Sequence, residues 1–279
     1  MYRLVAVDMD GTLLKPDRSI SDRTKTAIKK AVEMGVKIVL TTGRPITGVK
    51  NYLEELELIG HEQYVIGLNG AVICKTSDYS VVSSSETITG RDLRYIYSKV
   101  KDLNTYVHAF TSHEDLVNEE SRFSEDEEKR LNLKVRVVDF LKDVSDDDVI
   151  LKAVLEEDKR VLDRITREVP EELFQEYCVI RSVDCMLEFM KKGCDKSVGL
   201  KKLAEHLEIR REEIISVGDA ENDKEMIEYA GLGVAMGNAR DDVKEMANFV
   251  TKSNEEDGVA YVIEKFILDI KKGVNEFGE

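Results

Sequence analysis

Along the first third of the chain, apolar runs of strand length alternate with stretches of helical period. RLVAVD (3–8) is a continuous apolar run closed by an aspartate, as expected of a strand covered on both faces. After a polar loop, Ser21 can cap a helix in which Thr24, Ala27, Ile28, Ala31 and Val32 share one face, stopped by Gly35. VKIVLTT (36–42) predicts a second strand. Gly43 follows, then Pro45 as a first helical residue with Ile46, Val49, Leu53 and Leu56 on one face. YVIGLNGA (64–71) predicts a third strand. This order implies a parallel sheet with right-handed crossovers, which collects ligands at the carboxyl ends of its strands. Asp8, Thr42 and Asn69 stand at those ends.

After about residue 72 the pattern changes. AVICK and YSVVSS read as a hairpin around Thr76-Ser77-Asp78, followed by a helix carrying Leu93, Ile96, Val100 and Leu103. Strands near 105–111 and 134–138 flank a charged helix at 119–133, whose charges read as a solvated face. A strand at 148–157, a helix at 158–169 and a closing pair of strands at 175–182 and 184–192 complete a separate α+β unit. Then the first pattern returns. A helix at 195–209 leads to the strand EIISVGD (213–219), again ending in aspartate, and further helices and short strands alternate to residue 267. The economical reading is an α/β sheet interrupted by an inserted domain.

Composition narrows the partners. A chain of 279 residues suits one large domain or two modest ones, and its net charge of −15 leaves no basic excess for nucleic acid or anionic membranes. No run reaches transmembrane length, and charge interrupts the apolar stretch of MYRLVAVDMD, so neither a membrane span nor a signal peptide is expected and the cytoplasm is the default location. Cys74, Cys178, Cys185 and Cys194 are scattered without a CxxC pair and read as buried reduced thiols. His61, His108, His113 and His206 show no ligand spacing. Abundant Glu and Lys with glutamine only at Gln63 and Gln175 resemble the thermophile bias toward charge networks. Oligomeric state is not legible.

The candidate chemistry lies at strand ends and helix starts: Asp8-Met9-Asp10, Thr42-Gly43-Arg44, Lys196, and GDAEND at 218–223. Two neighbouring carboxylates repel unless a cation or a proton is shared; the competing reading is a surface Asp-Gly turn. Three aspartates from two strands make a hard oxygen site that suits Mg²⁺. A hydroxyl at Thr42, backbone N–H groups near Gly43 and a lysine suit a tetrahedral dianion, which together points to phosphoryl transfer.

DMDGTLL, TTGR, DKS and GDAEND resemble, in order and spacing, the four motifs of the haloacid dehalogenase (HAD) superfamily of phosphatases. LNGA (68–71), MLEF (186–189) and GDAENDKEMI (218–227) are similar to the Cof-type hydrolases of that group. The resemblance implies a Rossmannoid parallel-sheet core at 1–82 and 187–279 and an inserted α+β cap of the C2B type at 83–186. It implies Asp8 as the nucleophile that becomes an aspartyl phosphate, and Asp10 as the general acid and then base. Mg²⁺ would be held by Asp8, Asp219 and the backbone carbonyl of Asp10, with Asp223 behind them; Asp223 also reads as a helix N-terminal charge. Met9, Thr42, Gly43, Lys196 and Asn222 would hold phosphate. Ser197 stands where relatives usually carry glycine. Arg44 reads equally as a substrate contact or a loop brace, and Asn69 as a site residue or a turn stabiliser. The implied activity is Mg²⁺-dependent hydrolysis of small phosphorylated metabolites, sugar phosphates first. The alternatives are a phosphotransferase or mutase of the same superfamily and a non-enzymatic phospho-aspartate switch, which lacks an acid like Asp10.

Overall fold

The computed structural model describes residues 1–60, 62–85, 87–131 and 133–269. His61 and the end of the expected core, 270–279, lie outside them. The chain divides into two compact units, Met1–Gly43 with Val49–Ser84 and Asp195–Glu279, and Arg44–Gly48 with Ser85–Cys194.

The first unit begins with β1 (Leu4–Asp8), α1 (Asp22–Glu33), β2 (Lys37–Thr41), α2 (Lys50–Glu55), β3 (Tyr64–Gly67), β4 (Val72–Lys75) and β5 (Val81–Ser84). Every residue of β1 is buried, which is why its sequence lacks alternation. The Ser21 hydroxyl accepts from the Thr24 N–H and starts α1, whose Thr24, Ala27, Ile28 and Ala31 are buried. The expected single helix after Pro45 is split: Ile46–Gly48 is a 3₁₀ turn, and α2 starts after Val49. After β3 the chain reverses through three left-handed residues, Leu68, Asn69 and Gly70. The β4–β5 hairpin then extends the same sheet antiparallel.

The inserted unit contains β6 (Ile88–Thr89), α3 (Gly90–Val100), β7 (Tyr106–Phe110), β8 (Glu114–Val117), α4 (Arg122–Leu131), β9 (Lys134–Val137), β10 (Val149–Ile150), β11 (Lys152–Glu156), α5 (Lys159–Glu168), α6 (Glu171–Glu176), β12 (Tyr177–Val183) and β13 (Met186–Lys191). Its six-stranded sheet has the order β12-β13-β11-β7-β8-β9, antiparallel except for β8 and β9. Alternation divides the faces. Val107, Ala109, Ala153, Leu155, Leu187 and Phe189 join a core with Leu93, Ile96, Leu162 and Ile165. The opposite face buries charge: His108 Nδ1 lies 2.8 Å from Asp115 Oδ2, and Lys152 Nζ donates to Glu188 Oε1 at 2.8 Å. The expected return to the core at residue 187 is corrected here. β13 pairs with β11 and β12, so MLEF is a strand of the inserted unit and the division falls at Cys194/Asp195.

The first unit resumes with α7 (Lys196–His206), β14 (Ile214–Gly218), α8 (Lys224–Tyr229), β15 (Leu232–Ala235), α9 (Asp241–Met246), β16 (Phe249–Val250) and α10 (Gly258–Ile263). Its eight-stranded sheet has the order β16-β15-β14-β1-β2-β3-β4-β5, parallel from β16 to β3. Leu4, Ala6, Val39, Ile66 and Ile214 form one core with Leu200, Leu203 and Ala204 of α7 and Met226 of α8. The other face is closed where α1 packs beside α10 and β2. Chain order runs outward from β1 in both directions, so β1 and β14 flank the topological switch point, where open α/β sheets bind ligands.

Candidate active site

That topology brings distant aspartates together. β1 and β14 pair in parallel with Val7 opposite Val217, so Asp8 and Asp219 emerge from adjacent strands at the same sheet edge. Asp8 is buried, and its Oδ1 accepts from Lys196 Nζ at 2.6 Å. Lys196 is the first residue of α7, fixed there by Asp195, whose side chain accepts the Val198 N–H at 2.9 Å. The same ammonium donates to Asp223 Oδ1 at 2.6 Å.

The loop after β1 is wound tightly. The N–H groups of Leu13 and Leu14 return to the carbonyls of Asp8 and Met9, at 3.2 and 2.9 Å. Gly11 has φ +89°, and a Cβ there would lie 2.4 Å from Asp219 Oδ2, so only glycine fits. Thr12 Oγ1 donates to Asp219 Oδ1 at 2.7 Å. Thr12 is a contact that sequence reasoning missed, although it sits inside DMDGTLL.

Asp223 is committed to structure at both oxygens. Beyond the Lys196 bond, its Oδ2 accepts the N–H groups of Asp219 and Ala220 at 2.9 and 3.0 Å. Oxygens of Asp8, Asp219 and Asp223 lie within 4.8 Å of one another. Three carboxylates against one ammonium leave a double negative excess, and the donors are all hard oxygens. The cluster therefore fits a divalent metal, with Asp8 and Asp219 less encumbered than Asp223. The electrostatics agree. Burial first, then the Asp223 charge, push Asp8 well above the usual carboxylate range against the pull of Lys196. The same causes lift Asp219 to about 7. Burial pulls the Lys196 ammonium down, but Asp223 and Asp8 outweigh it and hold the proton on.

The other candidates meet at a second junction. The Thr42 N–H donates to the Ile66 carbonyl, and the Asn69 N–H to the Thr42 carbonyl, both at 2.9 Å. Asn69 is fully buried with φ +48°, and its Oδ1 accepts from Asn222 Nδ2 at 3.1 Å. A Cβ on Gly43 would lie 3.1 Å from Asn69 Nδ2. Asn69 thus joins Thr42-Gly43 to Asn222. Arg44 clusters with the inserted unit, where Nη1 donates to the Gly48 carbonyl at 3.4 Å and closes its own turn.

The chain matches the profile of the haloacid dehalogenase-like hydrolases over residues 5–263. It belongs to the haloacid dehalogenase-like hydrolase family. This HAD-like hydrolase is 37% identical over 274 residues to YxeH of Bacillus subtilis, covering 96% of this chain and 99% of that one. It is 31% identical over 281 residues to the 5-amino-6-(5-phospho-D-ribitylamino)uracil phosphatase YitU of the same organism, covering 94% and 97%. A solved haloacid dehalogenase-like hydrolase from Bacteroides thetaiotaomicron superposes with a TM-score of 0.83 at 29% identity, covering 96% of this chain and all of that one. The HAD-like chain is thus an enzyme of the phosphatase type. Among its described residues no helix is long and apolar enough to cross a membrane.

Proposed function

We propose that the protein is a Mg²⁺-dependent phosphomonoester hydrolase working through an aspartyl phosphate on Asp8. The observation that carries the reading is the Asp8 carboxylate at the switch point, bonded to the Lys196 ammonium at 2.6 Å, with Asp10 two residues on in the wound loop. Asp8, Asp219 and the carbonyl of Asp10 would hold the metal, which supplies charge neutralisation and orientation of the phosphoryl oxygens. Asp223 holds the Asp219 loop and Lys196 in place.

In the first step an Asp8 oxygen attacks phosphorus. The bond from phosphorus to the ester oxygen breaks, and the carboxyl proton of Asp10 passes to the leaving alkoxide. In the second, Asp10 takes a proton from water as that water attacks the phosphorus of the acyl phosphate. The bond from phosphorus to Asp8 breaks, and inorganic phosphate leaves. Lys196, the Met9 N–H, Thr42, Gly43 and Asn222 hold the phosphoryl oxygens; Asn69 braces the last three.

Small phosphorylated metabolites, with sugar and polyol phosphates first, are the favoured substrates. The YitU relative, whose named substrate carries phosphate on a ribityl chain, supports an alkyl ester of this kind. The test is phosphate release from a panel of sugar, polyol and nucleotide phosphates, with Mg²⁺ or a chelator and with Asp8→Asn as the blank. Release that depends on Mg²⁺ and vanishes in the variant is expected. Transfer to a second sugar hydroxyl instead of water would make the protein a mutase; undiminished release in Asp8→Asn would remove the nucleophile.

A further inference from the structure

The loop carrying Asp10 is held from outside the acidic cluster by two asparagines that no motif singled out. Asn238, in the turn after β15, donates from Nδ2 to the Gly11 carbonyl at 2.8 Å. Asn254, in the turn after β16, donates from Nδ2 to the Leu14 carbonyl at 2.7 Å. The backbone N–H of Asn254 also donates to Asn238 Oδ1 at 3.0 Å, so the two residues form one hydrogen-bonded clamp. Its two attachment points fall within the segment where the backbones of Asp10 and Leu14 bridge. Lys15, just beyond, lies 3.5 Å from Asp257 in the same outer turn.

The residue types suit the task. The loop offers carbonyls, so the clamp must donate; each asparagine supplies an N–H for a carbonyl, and Asn238 also supplies an acceptor for its partner. Gly11 has no Cβ and sits at φ +89°, where backbone freedom is wide. Fixing its carbonyl fixes the turn that follows Asp10. Asn238 is exposed, so water can replace its bonds with little loss of stability, yet water does not reproduce the direction in which the loop is held.

We propose that Asn238 and Asn254 are positioning residues that aim the Asp10 carboxyl at the leaving-group oxygen. This rests on the reading of Asp10 as the general acid. A misaligned acid slows esters whose alkoxide needs the proton and spares those whose leaving group departs unaided. The experiment compares kcat/KM, which reports the steps up to departure of the alcohol and not the later hydrolysis of the acyl phosphate, for Asn238→Ala, Asn254→Ala and Asp10→Asn on glycerol 2-phosphate and p-nitrophenyl phosphate, with kcat and thermal midpoints measured alongside. The clamp variants should lose about tenfold or more in kcat/KM on the alkyl ester and less than about threefold in kcat/KM on the aryl ester, whereas kcat falls on both where hydrolysis of the shared acyl phosphate, which also uses Asp10, limits turnover. Asp10→Asn should show the same selectivity, more strongly. Equal losses in kcat/KM on both esters, or none, in the clamp variants beside a selective Asp10→Asn overturn the clamp alone. An unselective Asp10→Asn overturns the acid and the clamp with it. Should Asn254→Ala fail to fold, the exposed Asn238→Ala carries the same test.

Discussion

Replacing Asp219 by asparagine should stabilise the metal-free protein above neutral pH while abolishing turnover. The Asp219 carboxyl, ordinarily near 3.8, is lifted to about 7, by burial first and by the Asp223 charge second. In the unfolded chain it ionises near its ordinary value, so between about pH 4 and 7 folding takes up a proton. Its contribution to stability is therefore full below about 3.8 and lost as pH rises through about 7. About three pH units at ~1.4 kcal/mol each set a ceiling of about 4 kcal/mol. Asp8 is pushed the same way by the same neighbour, so the two carboxyls share the strain and relieving one returns about half, ~2 kcal/mol. That corresponds to a rise of ~5 °C in the thermal midpoint for a chain of this size. Asparagine keeps an oxygen for the Thr12 hydroxyl, so the loop contact survives. The assay is thermal unfolding of both proteins in chelator at pH 5 and pH 8, then with a divalent cation. The variant should gain at pH 8, gain little at pH 5, and lose the metal-induced stabilisation of the parent. A variant no more stable than the parent at pH 8, or equally favoured at both pH values, would refute the charge accounting.

Three further outcomes follow from the geometry. Lys196→Met leaves the buried Asp8 and Asp223 carboxyls without their shared ammonium and should cost about 3–5 kcal/mol by denaturant unfolding; a neutral effect would mean the ion pair is not buried in solution. Gly70→Ala should cut activity more than tenfold, to order of magnitude, because its φ is +94° and a Cβ would lie 1.9 Å from the Asp195 carbonyl at the start of α7; wild-type rates would show that this turn does not position Lys196. In the inserted unit, Glu188→Ala removes the carboxylate that accepts from Lys152 and Ser182 and should cost about 3 kcal/mol, whereas Glu188→Gln, which keeps the shape and an acceptor oxygen, should cost less; equal losses would show that the charge alone carries the effect and refute this expectation.

Some of this was written locally and some was not. β1 and β14 were legible because strands covered on both faces are unbroken apolar runs, and the aspartates closing them mark the sheet edge. β8 was missed: its four residues, Glu114 to Val117, include two acids, and pairing with β7 and β9 holds it. α6 was missed because six residues after Pro170 carry too little periodicity. For β13 the pattern and the resemblance disagreed: the strand pattern closed the inserted unit with 184–192, while the resemblance returned residue 187 to the core, and the register of β13 with β11 agrees with the pattern. The link from Asn69 to Asn222 spans 153 residues and the one from Asn238 to Gly11 spans 227, so no spacing rule could reveal either.

The placement of β1 between β2 and β14 also sets a timetable for synthesis. Asp8 leaves the ribosome early, but its neighbouring strand ends at Gly218 and its lysine is residue 196. At ~5–20 residues per second, some 10–40 s separate Asp8 from Asp219. Meanwhile β1 has one open edge, whose residues Leu4 to Val7 are all apolar, facing the space β14 will fill. The inserted unit, with its own core complete by residue 189, can fold during that wait. The nascent chain thus carries a finished domain on an unfinished one, and the interval before β14 arrives is when its apolar edge is exposed to mispairing and to chaperones.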